Sequence, residues 1–177
     1  MGTSYIMTAF GKDRPGIVAD VSQVLYENGC NLEDSRMTLL TDEFTLILLF
    51  TTGTNDDIED QLLKDCRRLE REKGVSAFLR AVSAAQPAAP TAFTEHTLHV
   101  EGVDKAGIVY KVSRFLADNQ LNIVNLVSRI EAQPNSGTQM YVMDIHIQMP
   151  VGTDLDKIND GLAMVGEELN VDIAFKA

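Results

Sequence analysis

GKDRPGIVADVSQVLYENGCNLEDS, residues 11–35, returns as GVDKAGIVYKVSRFLADNQLNIVNL, residues 102–126. Ten of the 25 positions are identical across this 91-residue offset: Gly11/Gly102, Asp13/Asp104, Gly16/Gly107, Ile17/Ile108, Val18/Val109, Val21/Val112, Ser22/Ser113, Leu25/Leu116, Asn28/Asn119 and Asn31/Asn122. An internal repeat of this kind sets the architecture: one supersecondary unit, used twice. Apolar residues at 17, 18, 21, 24 and 25, echoed at 108, 109, 112, 115 and 116, give one face of an amphipathic helix. Asp13 is the candidate N-cap of that helix, and Pro15 falls in its first turn, where a missing N–H costs nothing. Gly29 suits the helix end, whereas the second copy has Gln120 there, a poorer terminator.

Working outward, each helix is preceded by a short apolar strand, Tyr5–Phe10 and His96–Glu101. Two strands follow it: Ser35–Leu40 and Phe44–Phe50 around Thr41-Asp42-Glu43, then 126–132 and 140–149 around the looser turn 133–138. A second helix spans 55–72, with Ile58, Leu62, Cys66 and Leu69 on one stripe; its counterpart spans 154–169, with Leu155, Ile158, Leu162, Val165 and Leu169. Strands Val75–Val82 and Val171–Phe175 close the copies. The fold class is therefore α+β: two tandem ferredoxin-like βαββαβ units, each an antiparallel four-stranded sheet covered on one face by its helices. The units occupy residues 1–83 and 94–177. The uncharged stretch 84–93, with Pro87 and Pro90, reads as a semi-extended linker reaching about 30 Å.

Composition narrows the function. The net charge is −11, split as −5 over residues 1–86 (9 basic, 14 acidic) and −6 over 87–177 (6 basic, 12 acidic). Both halves repel a phosphate backbone, and no helix-turn-helix pattern or basic arm offsets this, so direct nucleic-acid binding is not expected. No run of 18 apolar residues spans a membrane, and the N-terminus has no export or myristoylation pattern. Cys30 and Cys66 stand in no ligand spacing and read as buried thiols of a reducing cytoplasm. His96, His99 and His146 are the only histidines; His96 and His99 point to opposite faces of one strand, so no metal site is expected. With no Gly-x-Ser-x-Gly elbow, phosphate loop, acid–base pair or cofactor cradle, the chain reads as a non-enzyme without cofactors. The charged run 64–73 reads as a solvated helix face, with docking of a partner as the alternative, and Met140, Met143 and Met149 as fillers of core or sheet-interface gaps.

One segment carries candidate chemistry. Asp13-Arg14-Pro15-Gly16-Ile17, echoed by Asp104-Lys105-Ala106-Gly107-Ile108, is a glycine turn at a helix N-terminus. Such a turn offers unpaired N–H groups and a favourable dipole to a carboxylate. Asn31 and Asn122 follow the same helix, each with an amide that both donates and accepts. An amino acid is a zwitterion, and Asp13, Asn31 and the turn backbone together supply groups for both of its ends. The competing reading is a plain capped helix start followed by a turn asparagine.

This combination, with Asn31-Leu32 running into Asp34-Ser35-Arg36 and Glu43-Phe44-Thr45-Leu46, resembles the ACT domain, a small regulatory module of βαββαβ fold. The resemblance covers essentially the whole chain and is looser in the second copy. There Ala106 replaces the proline, and Ser128-Arg129 falls two residues later than the Ser-Arg of copy one. It implies amino-acid binding at interfaces between units, through Asp13, Arg14, Pro15, Gly16, Ile17, Asn31 and Leu32, and through Asp104, Gly107, Ile108 and Asn122. ACT-only proteins further imply a homodimeric regulator that senses a small amino acid, with glycine the candidate. Its output would be contact with a LysR-type transcription activator rather than with DNA. The alternatives are a regulatory subunit tuning an amino-acid metabolic enzyme and a ligand-free dimerisation module.

Overall fold

The structure is a computed structural model that describes residues 2–53, 57–82, 92–133 and 137–176. Its elements are β1 (Ser4–Lys12), α1 (Ile17–Glu27), β2 (Asn31–Leu40), β3 (Glu43–Thr51), α2 (Ile58–Lys73) and β4 (Ser76–Val82). The second unit repeats them as β5 (Phe93–Val103), α3 (Ile108–Asp118), β6 (Asn122–Ala132), β7 (Gln139–Pro150), α4 (Leu155–Leu169) and β8 (Val171–Phe175). The chain divides into two compact units, 1–87 and 88–177. Each unit is a four-stranded antiparallel sheet, in the orders β2-β3-β1-β4 and β6-β7-β5-β8.

Alternation along the strands decides which face is covered. Tyr5, Met7 and Ala9 of β1 and Phe44, Leu46, Leu48 and Phe50 of β3 are buried beneath α1 and α2. The helices answer with Ile17, Val21, Val24 and Leu25, and with Ile58, Leu62, Cys66 and Leu69. The second core is built likewise around Leu98, Val100, Val112, Leu116, Ile145 and Leu162. Met143 and Met149 are buried in it, while Met140 is only partly covered. Leu155, expected on the buried stripe, is the first residue of α4 and stays 43% exposed.

Three local expectations are corrected. Asp13 does not cap α1: Gly16, in the left-handed region at φ 87°, is the N-cap, with no side-chain capping bond. The chain uses the Arg14-Pro15-Gly16 turn first, with the Ile17 N–H reaching the Arg14 carbonyl at 3.3 Å, so the cap falls three residues beyond Asp13 and the helix starts at Ile17. The second helix of unit one begins at Ile58, and residues 55 and 56 of the expected span lie outside the described residues. β5 starts at Phe93, inside the expected linker; 84–91 of that linker also lie outside the described residues.

Candidate functional site

The β1–α1 turn is tied down by its backbone. The Asp13 N–H donates to the Asp42 carbonyl, 2.8 Å, at the tip of the β2–β3 hairpin; in unit two the Asp104 N–H donates to the Gln139 carbonyl, 3.2 Å. The Asp13 carboxylate makes no hydrogen bond or ion pair among the described residues and is exposed. At the helix start, the Asp20 N–H is the first to find the helical carbonyl of Gly16, 2.9 Å. The N–H groups of Val18 and Ala19 have no protein acceptor among the described residues, and both residues are exposed. These are orphan donors at the positive end of the helix dipole.

Gly16 and Gly107 differ from the glycines that merely relieve crowding. A Cβ at either would meet nothing within 4 Å, while their φ values of 87° and 100° disfavour any L side chain. The space above them is open to solvent, so the turn is accessible as well as conformationally demanding. A shallow pocket lies there, lined by the 13–19 turn and by Met37 of β2. Met37 lies on the helix-side face of the sheet, paired with Leu46, but is left half exposed because the helices do not cover this edge strand. The corresponding residue of unit two is Ser128, paired with Met143. Sequence reading did not single out Met37; only the pairing register brings it over the turn.

The two turns differ in charge. Arg14 is drawn to Asp20, 2.5 Å, and Lys73 approaches the same carboxylate at 3.3 Å. The Arg14 hydrogen bond is the main reason the Asp20 carboxyl is held below the usual carboxylate range. At the matching position unit two has Lys111, paired with Glu168, and no acidic residue in the first turn of α3. The N-terminus of α3 therefore lacks the negative charge that α1 carries in its first turn.

Asn31 lies elsewhere. Asn31 pairs with Thr51, and Thr51 with Ser4, so the asparagine is level with the start of β1, whereas the turn follows the end of β1. Eight residue steps of strand separate the two levels, about 27 Å. A single unit thus cannot hold one amino acid between Asp13 and Asn31. Leu32 precedes a β-bulge at Leu32/Asp34, and unit two repeats that bulge at Ile123/Asn125. Asn31 is exposed, and Asn122 donates weakly to Gln148 Oε1, 3.4 Å. The other repeated asparagine closes the helix: Asn28 Nδ2 donates to the Val24 carbonyl and to the buried Asp65, both 2.8 Å, and Asn119 Nδ2 to the Phe115 carbonyl, 2.9 Å.

No cluster of three or more metal-ligating side chains occurs among the described residues, and no helix there is long and apolar enough to cross a membrane. His96 and His99 do lie on opposite faces of β5. Cys66 is buried, with its thiol pushed up to about 11 by burial and by Asp65; Cys30 is half-buried and raised by burial alone.

Two ferredoxin-like units, each with an open glycine turn at its first helix, define a tandem βαββαβ protein of the ACT type. Residues 4–79 match the family model for the ACT domain. The sequence is 31% identical over 168 residues to the glycine cleavage system transcriptional repressor of Escherichia coli (strain K12), covering 93% of this chain and 85% of that protein. A UPF0237 protein of Methanococcus maripaludis is 48% identical over 70 residues, 40% of this chain and 78% of that protein. A crystal structure of an unknown protein from Galdieria sulphuraria superposes with a TM-score of 0.77 at 29% identity, covering 99% of this chain and 98% of that one. The chain belongs to the ACT-domain family, as a tandem ACT protein similar to the glycine cleavage system transcriptional repressor.

Proposed function

We propose that this chain is a non-enzymatic sensor of a small amino acid, working in the cytoplasm and acting on transcription through a protein partner. The observation that carries this reading is the pair of open turns: orphan N–H groups at Val18 and Ala19 above Gly16, beside the unpaired carboxylate of Asp13. The α-carboxylate of the ligand binds the N–H groups and the helix dipole, and its ammonium faces Asp13.

Asn31 completes the site from a neighbouring unit rather than its own. β2 is an edge strand, with backbone groups free to pair. Arg14, Pro15, Ile17 and Leu32 line the site, and Asp104, Gly107, Ile108 and Asn122 form its counterpart in the second copy of the repeat. The Met37 overhang favours a ligand with little side chain, and the similar repressor is named for glycine cleavage, so glycine is the first candidate. The functional form is a homodimer, and its partner is a LysR-type transcription activator. Ligand acts by binding one packing of units more tightly than another.

Thermal unfolding against glycine, serine and the remaining standard amino acids tests the sensor. At 100-fold over its dissociation constant a native-state ligand stabilises by about 2.7 kcal/mol. The expected result is a selective upward shift in Tm that Asn31→Ala abolishes. No shift with any amino acid overturns the reading.

A further inference from the structure

The open face of the first sheet reads in rows. Asp34 pairs with Leu49, Leu49 with Ile6, and Ile6 with Arg80, so one row runs from edge to edge as acid, two apolar residues, base. The next row is Arg36, Ile47, Thr8 and Phe78, and Phe10 stacks on Phe78 at 5.9 Å. Ile47 is 45%, Phe10 42% and Phe78 64% exposed. Asp34, Arg36 and Arg80 have no ion-pair partner among the described residues; Asp34 accepts only the Ser35 N–H, 2.7 Å.

The second unit's open face is built differently. His99 Nδ1 and Lys176 Nζ each lie 2.7 Å from Asp144, whose carboxyl they hold down to about 2, and Arg129 pairs with Glu131. The Asp144 carboxylate is matched in place near the centre of that face, where burial would cost desolvation. The first unit instead has an apolar centre and unmatched charges at its edges.

We propose that this face of the first unit is an interface between two copies of the chain, related by a two-fold axis lying between the sheets and parallel to the strands. That axis reverses every row left to right and keeps its height. Asp34 of each copy then faces the partner's Arg80, and Leu49 faces the partner's Ile6. In the adjacent row Arg36 lies over the ring of the partner's Phe78, a cation–π arrangement. A two-fold contact requires a self-complementary surface, and a single axis satisfies both rows. Four strands about 4.8 Å apart and about nine residues long present about 550 Å² per copy, or roughly 1,100 Å² together, enough for a specific contact. Face-to-face sheets about 10 Å apart leave the edges available, so the contact does not compete with edge pairing at the turns. The inference rests on the homodimer proposed above but not on ligand binding.

Sedimentation velocity of the full chain tests it, with wild type, Asp34→Arg, Arg80→Asp and the double variant. All substituted positions are exposed, and circular dichroism checks that each variant folds. Like charges then meet twice per dimer in each single variant, so the dissociation constant is expected to rise at least about tenfold. In the double variant the row is self-complementary again, with affinity expected within about threefold of wild type. A dimer indifferent to both single substitutions overturns this face while leaving the homodimer standing. Weakened singles without rescue overturn the row pairing, and a wild-type monomer at every concentration overturns both. Amino-acid-dependent Tm shifts on the same variants report separately on the sensor.

Discussion

Gly16 and Gly102, both repeated across the 91-residue offset, are glycine for different reasons. At Gly102 a Cβ would lie 2.5 Å from Val171 Cγ1 and 2.9 Å from its Cα, where β8 begins against β5. Gly11 has the same problem in milder form, with a Cβ 2.9 Å from the Gly74 carbonyl oxygen. At Gly16 there is space but a left-handed backbone. Gly102→Ala forces two strands apart and is expected to cost about 2–3 kcal/mol, as overpacking does. Gly16→Ala meets only the conformational penalty, about 1–2 kcal/mol. Urea unfolding that ranks the two in the opposite order would overturn the assignment of crowding to one and conformation to the other. The sequence repeat marks both positions alike; only the distance to Val171 separates them.

At the scale of the element, the ends of α1 and α3 form the same motif from different residues. The Cys30 N–H reaches the Leu25 carbonyl at 2.9 Å after Gly29 at φ 62°; the Leu121 N–H reaches Leu116 at 2.9 Å after Gln120 at φ 61°. Gln120 is exposed and holds a conformation that glycine adopts without strain, so Gln120→Gly is expected to raise stability by about 1 kcal/mol. Denaturant midpoints check this, and a loss of stability would mean that the Gln120 side chain contributes more than its backbone costs. The weak terminator was legible in the sequence, as were all twelve elements, because the helical and strand periods are written twice. The site was only half legible. Gly16 and its neighbours declare a turn locally, but the place of Asn31 depends on strand length and register, which put it at the far end of the sheet. Met37 escaped for the same reason: its role follows from an uncovered edge, and the residue itself is an ordinary strand methionine.

For the whole molecule, charge decides what kind of regulator this can be. Fifteen lysines and arginines face 26 acidic residues. Nine of those cations already sit in ion pairs: Lys12, Arg14, Arg68, Arg71, Lys73, Lys111, Arg114, Arg129 and Lys176. Among the described residues Arg36, Lys64, Arg67, Arg80, Lys105 and Lys157 have no ion-pair partner, and they are divided between two units that each carry net negative charge. Two of them, Arg36 and Arg80, are also committed to the proposed dimer face. Affinity for duplex DNA comes largely from counterions released as clustered cations replace them, about 0.9 per phosphate neutralised. Scattered cations on an acidic surface release few and bring repulsion with them. The chain alone is therefore expected not to retard duplex DNA of any sequence, even at about 50 mM salt, where electrostatic binding is strongest. Retardation that weakens steeply with added salt would mean that a basic surface forms only in the assembled protein, and the output would then be direct. Its absence, together with retardation restored by an added DNA-binding partner, is what an acidic regulator working through protein contact requires.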